Sequence, residues 1–217
     1  MSCNLVNILK NIREYITSKG GTYYFNTKFT NFQKNNQEIK VICEDKEFIT
    51  DSLVLAIGHS SRETLYMLKD NNIDMIRKNF SVGVRIEHKQ SMINESQYGN
   101  ITKLNLPSAE YKLAYHGESR SCYTFCMCPG GEVIASSSEP ESIVTNGMST
   151  FKRDKENANS ALLVNIQTTD FEGEDPLAGI HFQEDLEHKA YLLAGSNYNA
   201  PVQRVEDFIN NQKTCSK

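Results

Sequence analysis

The sequence predicts a mixed fold with α+β and α/β character, and three observations lead to this class. Apolar residues recur at helical spacing near the N-terminus, and several later segments alternate apolar and polar residues as strands do. Between these regions, one continuous apolar run is followed by a second helical pattern. Helices and half-buried strands are therefore expected along the whole chain.

The first predicted elements are a helix and a small antiparallel meander. Helical spacing relates Leu5, Ile8, Leu9, Ile12 and Ile16, and Gly20-Gly21 is a natural stop. Strand formers fill residues 22–27, and the strand is expected to continue towards Phe32. A turn at 34–37 leads to an alternating strand at 39–43, and a turn at 44–46 leads to another at 47–50.

A different pattern begins at Ser52. Residues 52–58 are almost continuously apolar and end in glycine, which is typical of a strand buried on both faces. Ser60 and Glu63 then have the spacing of a capping box, which predicts a helix from about residue 60 to 72.

The rest of the chain reads mainly as strands. Alternation is clearest in Phe80–Glu87, and further strands are predicted at 112–116, 122–128, 132–136 and 161–167. Residues 139–145 and 151–159 are polar and loop-like. Asn146-Gly147 reads as a turn, and the alternative is a close approach of its backbone to a ligand. Two helices are expected near the C-terminus, at 183–194 and 202–211.

Composition excludes several function classes. The chain has 217 residues, 39% hydrophobic and 23% charged, with 23 Lys and Arg against 27 Asp and Glu, a net charge of -4. This balance favours neither a nucleic-acid backbone nor an anionic membrane as a partner. No apolar run approaches the roughly 20 residues that span a bilayer, and the N-terminus lacks a signal-peptide core. We therefore expect a soluble, cytoplasmic protein.

The cysteines and histidines do not predict a metal site. Six cysteines are expected to be reduced, because the chain is not a short, secreted, cysteine-rich scaffold. They lack zinc-finger spacing, and no two of the five histidines form an HxxxH or HExxH pair.

The turn at Gly58-His59-Ser60 is the first candidate binding site. A helix N-terminus has unpaired N–H groups and partial positive charge, so it can hold a phosphate or a carboxylate. Gly58 would let such a ligand approach the backbone, and Ser60 would add a hydroxyl donor. The alternative is an ordinary connection between a strand and a capped helix.

The second candidate is the segment from Phe125 to Gly131. Cys126 and Cys128 are two residues apart on a strand, so both are expected on one face, where they could meet one ligand. Pro129-Gly130-Gly131 predicts a tight turn with exposed backbone amides. The alternative is a pair of small buried residues before a hairpin turn, as free cysteines often are.

These segments, together with several others, resemble a family of bacterial FAD-dependent dehydrogenases, the largely uncharacterised NAD(FAD)-utilising dehydrogenases. The resemblance covers nearly the whole chain in family order. It lies in residues 53–62, 80–88, 125–131, 144–149, 157–161, 175–180 and 200–204.

The resemblance implies that the chain is an internal piece of a longer flavoprotein with two dinucleotide-binding domains. It would lack the N-terminal GxGxxG unit and the C-terminal FAD segment. Residues 1–77 would be the end of the FAD-binding domain, and residues 78–217 a substrate or cap domain with a mixed sheet and C-terminal helices.

The resemblance also implies residue roles. The backbone of Phe29 would lie near the adenine, and Ala56 and Gly58 would pass close to the flavin, with His59 and Ser60 beside them. The turn at Pro129, Gly130 and Gly131 would face the isoalloxazine, with Cys126 and Cys128 as candidate catalytic thiols. The general base is not identified.

The leading hypothesis is an FAD-dependent oxidoreductase that acts on an unidentified small molecule, with NAD(P) as electron donor or acceptor. This chain would carry the substrate domain, would be inactive alone, and would have the remainder of its own protein as its partner. The alternative is a stand-alone ligand-binding or interaction domain without redox activity. A third hypothesis makes Cys126 and Cys128 a thiol redox or metal pair.

Overall fold

The structure, a computed structural model, describes residues 5–99, 105–137 and 139–214. The described chain divides into an N-terminal unit, residues 5–76, and a C-terminal unit, residues 77–214. Helices combine with antiparallel sheets in this part of the chain, so the predicted mixed α and β class is confirmed. None of the described helices has the length and apolar character needed to cross a membrane.

The N-terminal unit begins with the predicted helix. Helix α1 spans Leu5–Ser18, and Gly20 then adopts a φ of 91°. The amide of Gly21 bonds back to the carbonyl of Ile16 at 3.0 Å, as expected where glycine ends a helix. α1 is strongly amphipathic, yet none of its residues is buried. Its apolar side chains are therefore open to solvent within this unit.

A three-stranded antiparallel meander follows α1, as predicted. Strand β1 is Phe29–Asn35, β2 is Glu38–Cys43 and β3 is Glu47–Thr50, in the order β1-β2-β3. The turn between β1 and β2 has Asn36 at a φ of 55°, a conformation that asparagine tolerates. The strand predicted at 22–27 is wrong, because these residues have no strand partner and pairing begins only at Phe29.

The buried strand predicted at 52–58 is also wrong. These residues form no strand, and Val54 is 86% exposed. A strand buried on both faces needs a neighbour on each side, and none of the described strands pairs with this segment.

Helix α2 follows at Arg62–Asp70, inside the predicted range, but the predicted capping box is absent. Ser61 is the N-cap and its side chain makes no capping bond, because its hydroxyl donates to the carbonyl of Ile57 at 2.9 Å. Glu63 forms an ion pair with Lys28 at 2.9 Å, and Asn71 donates to the side chain of Asn31 at 2.9 Å. Both ends of α2 are thereby tied to the β1 region.

The C-terminal unit is built on a four-stranded antiparallel sheet with the order β4-β9-β6-β5. A separate hairpin pairs β7 with β8. The strands of this unit are β4 Phe80–Lys89, β5 Ala114–His116, β6 Ser121–Cys128, β7 Gly131–Ser136, β8 Val144–Ser149 and β9 Asn157–Ile166, and the helices are α3 Gln90–Tyr98, α4 Ala178–Leu193 and α5 Val205–Ile209.

The predicted strands and terminal helices of this unit are confirmed, with shifted ends. β5 is shorter than predicted, β9 begins four residues earlier, and α4 begins at Ala178. Three predictions are wrong: Asn146-Gly147 is not a turn but lies inside β8, and residues 144–145 and 157–159 are strand rather than loop. Helix α3 was not predicted, since its apolar pattern is weak.

The two faces of the four-stranded sheet differ in character. One face, the core face, carries Phe80 and Val82, which pack with Phe182 against the buried residues Ile166, Phe171 and Ala178. The ring centroids of Phe80, Phe171 and Phe182 lie 5.9 to 6.2 Å apart. The other face, the polar face, carries Arg85 and Glu87, and the β7–β8 hairpin lies against it.

Candidate functional site

A β-bulge in β6 lies at the centre of the polar face. Phe125 is paired with Ala161 and Cys128 with Asn159, so β6 holds one extra residue between these pairs. Cys126 lies in the bulge with a φ of 46°, in the left-handed region that few residues other than glycine adopt. The prediction that Cys126 and Cys128 share one face by alternation is wrong, because the bulge interrupts the alternation.

Arg85 holds this bulge from β4. Its Nη2 and Nη1 atoms donate to the carbonyl of Cys126 at 2.9 and 3.3 Å. Nη1 also donates to Oδ1 of Asn159 at 3.0 Å. The guanidinium therefore joins β4, β6 and β9, and it holds the backbone of Cys126 in its unusual conformation.

Asn159 and Gly147 complete the cluster around Arg85. Asn159 is 0% exposed, and its Nδ2 atom is buried with no hydrogen-bond partner among the described residues. A side chain on Gly147 would overlap the Oδ1 of Asn159 and the guanidinium of Arg85. Glycine is thus required at this point of β8 because its backbone lies directly on the side chains of the polar face.

Glu87 fixes the hairpin to the same face. One of its carboxylate oxygens accepts from Nδ2 of Asn157 at 2.8 Å, and the other accepts from the amide of Val133 in β7 at 3.3 Å. The acid therefore bonds to both β9 and the hairpin.

The turn at Pro129 and Gly130 is a tight turn, as predicted, but it is closed inwards. Pro129, Gly130 and Gly131 are all buried, and the amide of Gly130 donates to Oε1 of Gln90 at 2.8 Å. The carbonyl of Pro129 accepts from the hydroxyl of Ser149 at 2.7 Å. The predicted exposure of these amides is wrong, since side chains from α3 and β8 already bond to the turn.

Gln90 connects the turn to the loop before β5. Its Nε2 donates to the carbonyl of Ala109 at 2.9 Å and to Oδ1 of Asn94 at 2.8 Å. Gln90 and Ala109 are both buried. One amide side chain therefore bonds to two buried backbone groups and thereby orients the Cys-Pro-Gly-Gly segment.

A second polar cluster lies on the core face, at the far end of β4. Nε2 of His88 is 2.7 Å from the hydroxyl of Tyr111, and Nδ1 of His88 is buried without a partner among the described residues. Burial raises the pKa of Tyr111, while the hydroxyl of Ser160 and the charge of Arg85 act in the opposite direction. The phenol is thus neutral at ordinary pH and shares a hydrogen bond with the imidazole.

The described cysteines are reduced, as expected. Cys43, Cys122, Cys126 and Cys128 form no disulfide, and Cys126 is exposed. The thiol of Cys128 lies 3.5 Å from the carbonyl of Cys126. Cys3 and Cys215 lie outside the described residues. Nor does any group of three or more His, Cys, Asp or Glu residues, in the part of the chain that the structure describes, have the arrangement of a metal site.

The remaining predicted site residues lie in the N-terminal unit. Phe29 begins β1 and is half-buried, whereas Ala56, Gly58, His59 and Ser60 are exposed. Gly58 has a φ of 73°, and no atom lies within 4 Å of the position that a side chain would take. The backbone of this turn is therefore open to a ligand.

Sequence reasoning missed Arg85, Asn159, Gly147 and Gln90 as members of the site. A usable signal was present for Arg85, which lies on the polar side of the most regular strand pattern in the chain. Asn157 and Asn159 alternate in the same way, but the polar composition of residues 151–159 predicts a loop. For Gln90 and Gly147, nothing in the local sequence marks the contacts that they make.

Two comparisons with known proteins place the chain. Residues 79–217 match a family model described as "FAD-dependent protein, C-terminal domain-like". The chain is also 46% identical over 212 residues to a protein of Clostridium beijerinckii described as uncharacterized. That alignment covers 96% of this chain and 40% of the relative, so the chain spans well under half of the relative's length. The chain therefore belongs to this family of FAD-dependent proteins, and the C-terminal unit corresponds to the family's C-terminal domain.

Proposed function

We propose that the chain is part of an FAD-dependent oxidoreductase of the dehydrogenase type. In this proposal residues 78–217 form the substrate or cap domain, and residues 1–77 form the end of the FAD-binding domain. The match of residues 79–217 to an FAD-dependent family is the observation that supports the proposal most directly. The greater length of the Clostridium relative leaves room for the remainder of a flavin-binding domain.

The described residues fit part of an FAD site. The turn at Gly58 is open, so a large ligand can approach the backbone there, and Ala56, His59 and Ser60 are exposed beside it. All the strand pairs among the described residues are antiparallel, so these residues do not form the parallel βαβ unit that holds a dinucleotide pyrophosphate. We infer that the rest of the protein supplies the phosphate contacts.

The exposed apolar residues of the N-terminal unit agree with this reading. Val54 and Leu55 lie in an apolar run that has no strand partner among the described residues, and α1 buries none of its side chains. Large apolar patches are seldom left open on monomeric proteins. In the complete flavoprotein we expect the missing part of the FAD-binding domain to cover this surface.

Flavin would supply the hydride chemistry when bound, and the protein would bind and orient the substrate. To binding and orienting the substrate, this chain would contribute the Cys126 bulge held by Arg85 and the turn at Pro129, Gly130 and Gly131. The turn is buried, so its role in the proposal is to fix the bulge rather than to contact the ring through its amides. NAD(P) as electron donor or acceptor is part of the proposal.

Visible absorption spectra test the proposal. The longer Clostridium relative should be purified with bound flavin, or should bind added FAD, and NADH or NADPH should bleach its flavin band without oxygen. This chain with added FAD should show no retained flavin after gel filtration. A relative that binds no flavin after reconstitution would refute the oxidoreductase and leave the stand-alone binding domain. Flavin that neither nucleotide reduces would refute only the NAD(P) part.

A further inference from the structure

The guanidinium of Arg85 has an edge that no described residue occupies. Its bonds to Cys126 and Asn159 use Nη1 and one hydrogen of Nη2. The Nε–H group and the second Nη2 hydrogen, which point the same way, have no acceptor among the described residues. Nε is absent from the set of buried atoms without a partner, so solvent or a ligand can reach it. Through such an edge arginine can bind a carboxylate with two parallel hydrogen bonds, as Arg204 binds Asp207.

Arg85 also lacks a carboxylate partner within the described chain. Arg120 pairs with both oxygens of Asp170 at 2.7 and 2.8 Å, and Arg204 pairs with Asp207 in the same way at 2.8 and 3.0 Å. The nearest acid along the strand, Glu87, directs its oxygens to Asn157 and Val133. Arg85 is thus a positioned cation whose charge is not neutralised by an ion pair.

An apolar surface lies on the same face of the sheet as Arg85. Phe125, Ala161 and Arg85 are directly opposite one another on three adjacent strands, so their side chains share the polar face. Phe125 is 57% exposed, and alanine is the small residue between it and Arg85. Two strand spacings separate the backbones of Phe125 and Arg85, about 10 Å. The three residues therefore form a shallow site with a cation on one side and an aromatic ring on the other.

The other groups around Arg85 include two that accommodate an anion and one acid. Asn159 faces it from β9 with a buried Nδ2–H₂ group that lacks an acceptor among the described residues, and Gly147 faces it from β8 with no side chain. Cys126 presents its carbonyl to the far edge of the guanidinium, and the carboxylate of Glu87 is held by two donors.

We propose that Arg85, Ala161 and Phe125 bind a small carboxylate with an aromatic or other apolar body. Arg85 would bind the carboxylate through Nε and Nη2, and Phe125 would pack against the apolar body. The existence of this binding site is argued from the contacts of Arg85, Ala161 and Phe125 described above. Its identification as the substrate subsite rests on the proposed oxidoreductase, and it then assigns the substrate to the apolar carboxylic acids.

Titration of this chain with benzoate, followed by NMR at the Nε–Hε signals of arginine, tests the site without flavin. Benzoate should shift the Arg85 signal and bind about tenfold more tightly than benzamide, because charge-assisted pairs are roughly twice as strong as neutral ones. The signal of Arg120, which already has Asp170, should not move and serves as the internal control.

Two variants separate binding from folding. Arg85→Lys keeps the charge but loses the two-pronged edge, and should weaken benzoate binding about tenfold. Ala161→Leu leaves Arg85 untouched but fills the space beside Phe125. It should abolish the benzoate response while the Arg85 signal keeps its wild-type position.

Three results would overturn the assignment. They are an Arg85 signal that benzoate does not move, equal responses to benzoate and benzamide, and a response to inorganic phosphate as strong as that to benzoate. If this chain does not bind benzoate but the Clostridium relative binds flavin, only the carboxylate site is refuted. If this chain binds benzoate but the relative binds no flavin, only the oxidoreductase is refuted.

Discussion

Replacing Gln90 by methionine should destabilise the C-terminal unit, although nothing in the local sequence marks Gln90 as important for stability. Gln90 is 5% exposed, and its side chain forms three hydrogen bonds, two of them with backbone groups of distant segments. Methionine has nearly the same length and can fill the same space, but it can neither donate to Ala109 nor accept from Gly130. The substitution therefore removes polar contacts without leaving a large cavity.

The expected loss follows from the groups left behind. The N–H of Gly130 and the C=O of Ala109 are buried, and each unsatisfied group costs about 1–3 kcal/mol. Methionine returns part of this through its apolar side chain, so we expect a net loss of about 3 kcal/mol. Asn94 keeps a partner, since its Oδ1 still accepts from the amide of Ala109 at 2.9 Å.

Urea unfolding monitored by far-UV circular dichroism measures this loss, with Gln97→Met as the matched control. Gln97 lies on the same helix but is exposed, and its replacement should change stability by less than about 0.5 kcal/mol. The two units can unfold separately, so hydrogen exchange of the Gly130 amide assigns the effect to the turn. If Gln90→Met unfolds at the same urea concentration as the control, the bonds to Gln90 do not stabilise the unit.

Two further predictions concern the bulge and the Arg120–Asp170 pair. Cys126→Gly should not lower stability, because glycine accepts a φ of 46° freely, whereas Cys126→Val should lower it by about 1–2 kcal/mol in the same urea assay; equal stabilities would show that the backbone is not held there. The hydrogen bond from Arg120, followed by that from the amide of Gln167, lowers the pKa of Asp170 to about 2. Since the pKa is depressed on folding, this stabilisation is present above pH about 4 and is lost as pH falls towards 2. Asp170→Asn should flatten the dependence of stability on pH between about 4 and 2. An unchanged dependence would show that the Asp170 carboxylate is not its source.

Much of the fold could be predicted because it depends on short-range patterns. Helix α1 follows from five apolar residues at helical spacing, and β4 from strict alternation over residues 80–87. The meander β1–β3 follows from polar turns between apolar strands. Such patterns lie within a single element, so they can be recognised without knowing the rest of the fold.

The polar face could not be predicted because its contacts join distant residues. Arg85 and the carbonyl of Cys126 meet only because β4 and β6 both pair with β9 in a particular register. The bulge shifts that register by one residue, and the residue in the left-handed conformation is Cys126 rather than a glycine. The dipeptide Asn146-Gly147 predicts a turn because the local sequence does not show which strand its glycine approaches. Its glycine serves a close approach to Asn159 rather than a turn.

The segment 52–58 shows why an apolar run alone does not determine a strand. Burial of a valine or leucine side chain is worth about 1.5–3 kcal/mol, so this run has a strong tendency to be covered. Burial in a sheet also requires backbone partners, and in the N-terminal unit β2 pairs with β1 and β3, and the meander stops at Thr50. The hydroxyl of Thr50 donates to the carbonyl of Ser52. The chain continues without a strand partner among the described residues, and Val54 remains exposed. Hydrophobicity therefore identifies a segment that needs a partner, whereas the strand itself forms only where another part of the protein supplies that partner.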